Sequence, residues 1–200
     1  MRNARLDCGT NTHAATTYQS SPHSTLSAAL AFVEAIDGST SLVVDNSNVF
    51  RGGYDRDFRI DFDAVQNFLG GDFLKSAAMS VSQAARPNQI AFYEHLKRSG
   101  WHIHGFGLHA HSGELTENEM RVDGDVRKLI RAAANANDCQ NVVVMSGDGG
   151  MTNAVKDARR AGKRVFVIAW EGTLHPALAA AATNYMTIDE LRPLIGRSLH

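Results

Sequence analysis

Apolar and polar residues alternate along this chain in two rhythms. Short strand-like runs recur at Ser41–Val44 (SLVV), Ala77–Val81 (AAMSV), Trp101–Leu108 (WHIHGFGL), Asn141–Met145 (NVVVM), Arg164–Trp170 (RVFVIAW) and Asn184–Ile188 (NYMTI). The clearest is NVVVM, whose continuous β-branched core reads as a strand buried on both faces. Between the runs lie helical stretches near Phe62–Leu69, Asn88–Ser99, Asp123–Ala136, Met151–Ala161 and Pro176–Ala182. Asn88 serves as a helix cap, and Gly100 and Gly162 as stops. The segment after Asp45, rich in Gly, Arg and Asp, reads as a loop. Strands that alternate with helices predict right-handed crossovers and a mostly parallel sheet covered on both faces, an α/β architecture of three layers.

Ahead of this pattern, Ser24–Ile36 (STLSAALAFVEAI) predicts a short amphipathic helix ended by Gly38. Its apolar face is expected to carry Leu26, Ala29, Leu30 and Val33. Residues 1–40 therefore form an N-terminal extension with one helix packed on the surface, and residues 41–200 form the domain. The first two dozen residues are polar, and no packed element is expected there.

Composition changes this picture little. Of 200 residues, 44% are hydrophobic and 20% charged, enough to bury a proper core. A net charge of −1 supplies no global positive field, so a nucleic-acid partner needs a local basic patch. The two cysteines, Cys8 and Cys139, build neither a disulfide framework nor a zinc finger, which favours a cytoplasmic location. No apolar run approaches the ~20 residues that span a bilayer, so no membrane association is expected.

The chemistry gathers at strand ends. In open α/β sheets, ligands bind beyond the carboxyl ends of strands, where strand order reverses. Asp45 opens D-N-S-N directly after the first strand, and Asp148 sits in S-G-D-G-G directly after NVVVM. If those strands are neighbours, the two carboxylates face one another, and a cation relieves the cost of keeping both ionised. Oxygen-only ligands select Mg²⁺ or Mn²⁺. Asp123, in R-V-D-G-D, is expected at the start of a helix, where it serves as a third ligand or as a simple cap. Around Asp148, Gly149 lets a ligand approach the backbone, and Ser146, Thr152 and Asn153 offer hydrogen bonds to a phosphate at the helix N-terminus.

The order SLVVDNSNVF, RVDGDV, NVVVMSGDGGMTNAVKDARRAGKRVFVIAW and LHPALAAAATNYMTIDEL resembles the NYN domains, the LabA-like branch of the PIN-type nucleases, over about Ser41 to Leu191. The resemblance implies a PIN-like sheet in strand order 3-2-1-4-5, with the Asp45 and Asp148 strands side by side. It implies metal-dependent cleavage of RNA by Asp45, Asp123 and Asp148 around Mg²⁺ or Mn²⁺. Asn48 matches the family's polar residue beyond the first aspartate and would position water or the phosphate. Arg121 takes the basic position, and Arg51, Arg56 and Arg59 after the first motif, with Arg121, Arg127 and Lys128 near the third, would guide the strand. Single-stranded RNA is the favoured substrate, with structured RNA the alternative, and Phe50 and Tyr54 are stacking candidates. PIN-type domains are often dimers, so a homodimer is also expected. One position departs from the pattern: the family commonly reads S-G-D-x-D-F, and here Gly150 stands where the second aspartate falls. Asp125, Glu114, Glu117 and Glu119 are candidates to replace it.

Gly150 keeps a rival reading open, a PIN-like module that holds RNA or protein without cutting. S-G-D-G-G also resembles the metal motif of haloacid-dehalogenase-like phosphatases, but that family needs an aspartate at position 47, which is Ser. A metal-dependent adhesion site, D-x-S-x-S, fails at Val49. His102, His104, His109 and His111 lack a spaced partner that would complete a zinc site and read as ordinary strand and loop histidines.

Overall fold

The computed structural model describes residues 22–69, 74–82, 87–106 and 119–198. In chain order the elements are α1 (Pro22–Glu34), β1 (Thr40–Asp45), α2 (Asn46–Tyr54), β2 (Phe58–Ile60), α3 (Phe62–Phe68), β3 (Leu74–Ser82), α4 (Pro87–Arg98) and β4 (Trp101–Phe106). There follow α5 (Glu119–Asn135), β5 (Asn141–Met145), a 3₁₀ turn (Gly149–Met151), α6 (Thr152–Arg160), β6 (Arg164–Ala169), α7 (Pro176–Ala181), β7 (Asn184–Thr187), α8 (Ile188–Ile195) and β8 (Gly196–Ser198).

Six strands form one sheet in the order β4-β3-β1-β5-β6-β7, every pair parallel. With the short β2 set aside, this is the expected order 3-2-1-4-5 extended by a sixth strand. β2 pairs instead with β8 in a separate antiparallel ribbon. Strand order reverses between β1 and β5, so the crevice that favours ligands opens there.

Period-two alternation builds the layers. On β1 and β5, Leu42, Val44, Val143 and Met145 enter one core with Phe32, Phe62, Leu96, Trp101, Phe166 and Trp170. Val43, Val142 and Val144 point the other way and pack with Val126, Ile130, Val155 and Leu178. The sheet is thus sandwiched between α1, α3, α4 and α8 on one face and α5, α6 and α7 on the other.

Four features differ from the sequence reading. The supposed loop after Asp45 is helix α2. Its two glycines disfavour a helix in isolation, but Gly52 and Gly53 are buried in its packed face, and a Cβ on Gly52 would run into the Trp170 indole. Helix α5 starts at Glu119, four residues before Asp123, so Asp123 lies in its second turn and is not a cap. On α1 the buried positions are Ala29 and Phe32, with Ile36 buried just past the helix, whereas Leu26 and Leu30 are exposed. An edge-to-face contact between Phe32 and Phe166 (5.7 Å, 85°) anchors that alternative face. Finally, α8, β8 and β2 were not anticipated. The end of the third predicted strand, residues 107–108, falls outside the described residues.

Two glycines in helices should respond in opposite ways. Gly52→Ala overpacks α2 against Trp170 and should destabilise the fold by roughly 1–3 kcal/mol. Gly124→Ala on α5 meets no atom closer than Arg127 Nη2 at 4.0 Å, so its helix propensity should stabilise by about 0.5–1 kcal/mol. Urea unfolding of both variants checks the pair.

Candidate active site

Parallel topology brings the carboxyl end of each strand and the start of the following helix to one edge of the sheet. β1 and β5 are in register from Thr40 opposite Asn141 to Val44 opposite Met145. Beyond this last pair, Asp45 ends β1, still paired with Ser80 of β3, and Ser146 follows the end of β5.

Asp45 is 2% exposed. It caps α2 from the extended conformation, its Oδ1 accepting the Asn48 N–H at 3.2 Å. Its Oδ2 accepts the Ser146 hydroxyl at 3.0 Å. Ser146, itself fully buried, also accepts the Asp148 N–H at 3.2 Å. Asn48 Oδ1 accepts the Gly147 N–H at 2.9 Å, which ties the start of α2 to the loop after β5. Asp148 caps the 3₁₀ turn, accepting the Gly150 N–H at 2.9 Å.

Burial pushes the Asp45 carboxyl up to about 6, against an ordinary 3.8. The Asn48 N–H and the Ser146 hydroxyl pull it down, and the negative charges of Asp123 and Asp148 push it up. Asp123 and Asp148 therefore both act electrostatically on Asp45, although the three come from β1, the second turn of α5, and the loop after β5.

All three line one cleft of about 330 Å³, together with Asn48, Arg51 and Arg56. Ser47, Gly52, Asp55 and Thr173 complete its wall; the sequence reading missed these four. Thr173 reaches the site because Gly147 lacks a side chain. A Cβ there would stand 2.6 Å from the Thr173 carbonyl oxygen, and the His175 N–H donates to the Gly147 carbonyl at 2.9 Å. Arg56 is fixed by donating to the Gly52 and Glu171 carbonyls at 3.1 and 2.8 Å, with its guanidinium 5.0 Å from the Trp170 ring centre.

The other expected residues divide. Thr152 is buried, and its Oγ1 has no hydrogen-bond partner among the described residues. Asn153 is exposed on α6, Gly149 is half-buried against His175, and Arg121 lies in the first turn of α5. Ser146 holds Asp45 rather than facing the cleft. Of the candidates to replace the missing aspartate, Asp125 is paired with Lys128 at 2.9 Å. Glu119 begins α5, and Glu114 and Glu117 lie outside the described residues. His102 and His104 border a separate hollow of about 290 Å³, while His109 and His111 fall outside the described residues.

The donors in the cleft fit a hard divalent cation in kind, being anionic oxygens with one member buried. They do not form a closed ligand shell. Among the described residues, no three His, Cys, Asp or Glu side chains converge closely enough to hold a metal ion.

The NYN domain matches residues 39–189, which contain every residue of the cleft. The chain belongs to the NYN domain family. NYN domains have a PIN-like nuclease-type fold and are generally nucleases, and PIN-like nucleases typically use divalent metals. A crystal structure of a Vibrio parahaemolyticus RIMD 2210633 protein of unknown function resembles this NYN domain with a TM-score of 0.61. The two are 19% identical over 76% of this chain and 93% of that one, a likeness of fold. Comparison with curated proteins gave no match. Among the described residues, no helix is long and apolar enough to cross a membrane.

The raised Asp45 carboxyl has a consequence for stability. Between 3.8 and about 6 the folded state holds this proton more tightly than the unfolded chain does. Stability therefore falls as pH rises through that window, by on the order of 3 kcal/mol. Asp45→Asn keeps an oxygen for the Asn48 N–H and removes the charge. At pH 8 the variant should be more stable than wild type by roughly 1–3 kcal/mol, and near pH 4 the two should converge. Urea titrations at both pH values check this; a variant less stable at pH 8 would contradict it.

Proposed function

We propose that this NYN domain is a metal-dependent ribonuclease that hydrolyses RNA phosphodiester bonds in the Asp45–Asp123–Asp148 cleft. The observation that carries the reading is the buried Asp45 carboxylate, kept beside two further negative charges where an apolar or neutral residue would cost less. Natural sequences retain such groups mainly at functional sites.

Asp45, Asp123 and Asp148 would hold Mg²⁺ or Mn²⁺. Bound there, the cation supplies charge neutralisation at the phosphate and a lowered pKa for a coordinated water. The chain's own groups orient the rest. Ser146 and the Asn48 N–H fix both oxygens of Asp45. Asn48 commits its Oδ1 to Gly147, which leaves its side-chain N–H₂ as a donor for water or a phosphate oxygen. Arg51 and Arg56, in the cleft wall, oppose the acidic floor and attract the strand. The exposed Phe50 and Tyr54 project from α2, one turn apart. Rings so placed suit stacked bases of single-stranded RNA, the substrate class we favour. A cytoplasmic location and a homodimer belong to the same proposal.

A second reading is supported by Gly150 and by the open arrangement of the carboxylates: RNA binding without cleavage. An assay with single-stranded RNA separates the two. Wild type should cleave in Mn²⁺ and not in excess EDTA, and Asp148→Asn, which keeps the cap on Gly150, should lose roughly a hundredfold in rate. Binding by wild type without metal-dependent cleavage would favour the second reading.

A further inference from the structure

Gly150 is exposed and lies between two groups of opposite charge. A Cβ placed there would stand 3.2 and 3.5 Å from the carboxylate oxygens of Asp148 and 3.6 Å from Nη1 of Arg127. Arg127 belongs to α5, one turn beyond Asp123, and is half-buried. Its neighbours on that helix are tied down: Lys128 by Asp125 at 2.9 Å and Arg131 by Asp157 at 3.1 Å. Arg127 makes no hydrogen bond or ion pair among the described residues. A partly desolvated guanidinium without a partner is costly, and an anion between its N–H groups recovers that cost.

We infer that the gap over Gly150 is an anion subsite, in which Arg127 receives a non-bridging phosphate oxygen of the nucleic-acid strand. The inference rests on the nuclease-type reading, because the phosphate belongs to the strand in the cleft. Gly150 keeps the subsite open, since any side chain there would project between Asp148 and Arg127. An aspartate at this position would be the worst occupant, because it would pair with Arg127 and fill the gap. The missing carboxylate is on this account exchanged for a phosphate seat.

The test is binding, followed by fluorescence anisotropy with a labelled short oligouridylate in Ca²⁺ over a range of salt concentrations. Arg127→Ala should weaken binding roughly tenfold and lower the slope of log affinity against log salt by about one. Arg127→Lys should recover part of the loss. Gly150→Asp should weaken binding as well, and combining it with Arg127→Ala should cost less than the two losses added together. Unchanged affinity and salt slope in Arg127→Ala would overturn the inference, as would tighter binding by Gly150→Asp. If wild type binds no oligonucleotide, the nuclease-type reading fails and the subsite falls with it. If wild type binds and only the Arg127 and Gly150 effects are missing, the subsite alone is wrong.

Discussion

The hydrogen bond from Ser146 to Asp45 joins the two halves of this molecule at the point where its sheet reverses order. One partner ends β1, the other follows β5, and both are buried. A carboxylate in such a place is tolerable only because both of its oxygens are engaged, one by a side chain of the opposite half and one by the first turn of α2. The remaining geometry follows from that contact. Asn48 is turned onto Gly147, Gly147 admits Thr173, and Asp148 is held over its 3₁₀ turn by the same Ser146 oxygen. The cleft is the space these constraints leave open.

That arrangement sets stability against function. Burial first, and then the nearby carboxylates, raise the cost of charge on Asp45, so the fold loses stability as Asp45 ionises. Among the described residues, the carboxylates do not converge closely enough to hold a metal ion. Arg51 on α2, Arg56 just beyond that helix and Arg127 on α5 supply positive charge around the acidic floor.

Much of this was legible in the residues. The β-branched run of NVVVM and the aspartates closing two strands specify β1, β5 and the crevice between them, because strand burial and strand-end position are local properties. The family resemblance supplied the strand order and the pairing of Asp45 with Asp148. Helix α2 was not legible. Gly52 and Gly53 look like helix breakers until Trp170, more than a hundred residues away, requires a bare backbone. The burial of Phe32 in place of Leu30 likewise depends on Phe166. Thr173 and the Arg127–Gly150 gap were hidden for the same reason: each is a meeting of distant segments, and local periodicity carries no record of it. Asp123 was assigned to a helix start, because the sequence offered no clear signal for the extra turn that begins at Glu119.

The most direct test of the account is a crystal structure of the protein soaked in Mn²⁺, read by anomalous scattering. The account predicts a single strong peak between Asp45, Asp123 and Asp148, with carboxylate oxygens from all three drawn in to about 2.0–2.2 Å, the range of a small hard cation. A crystal saturated with Mn²⁺ that shows no peak in the cleft, or a peak held by residues elsewhere, would contradict it.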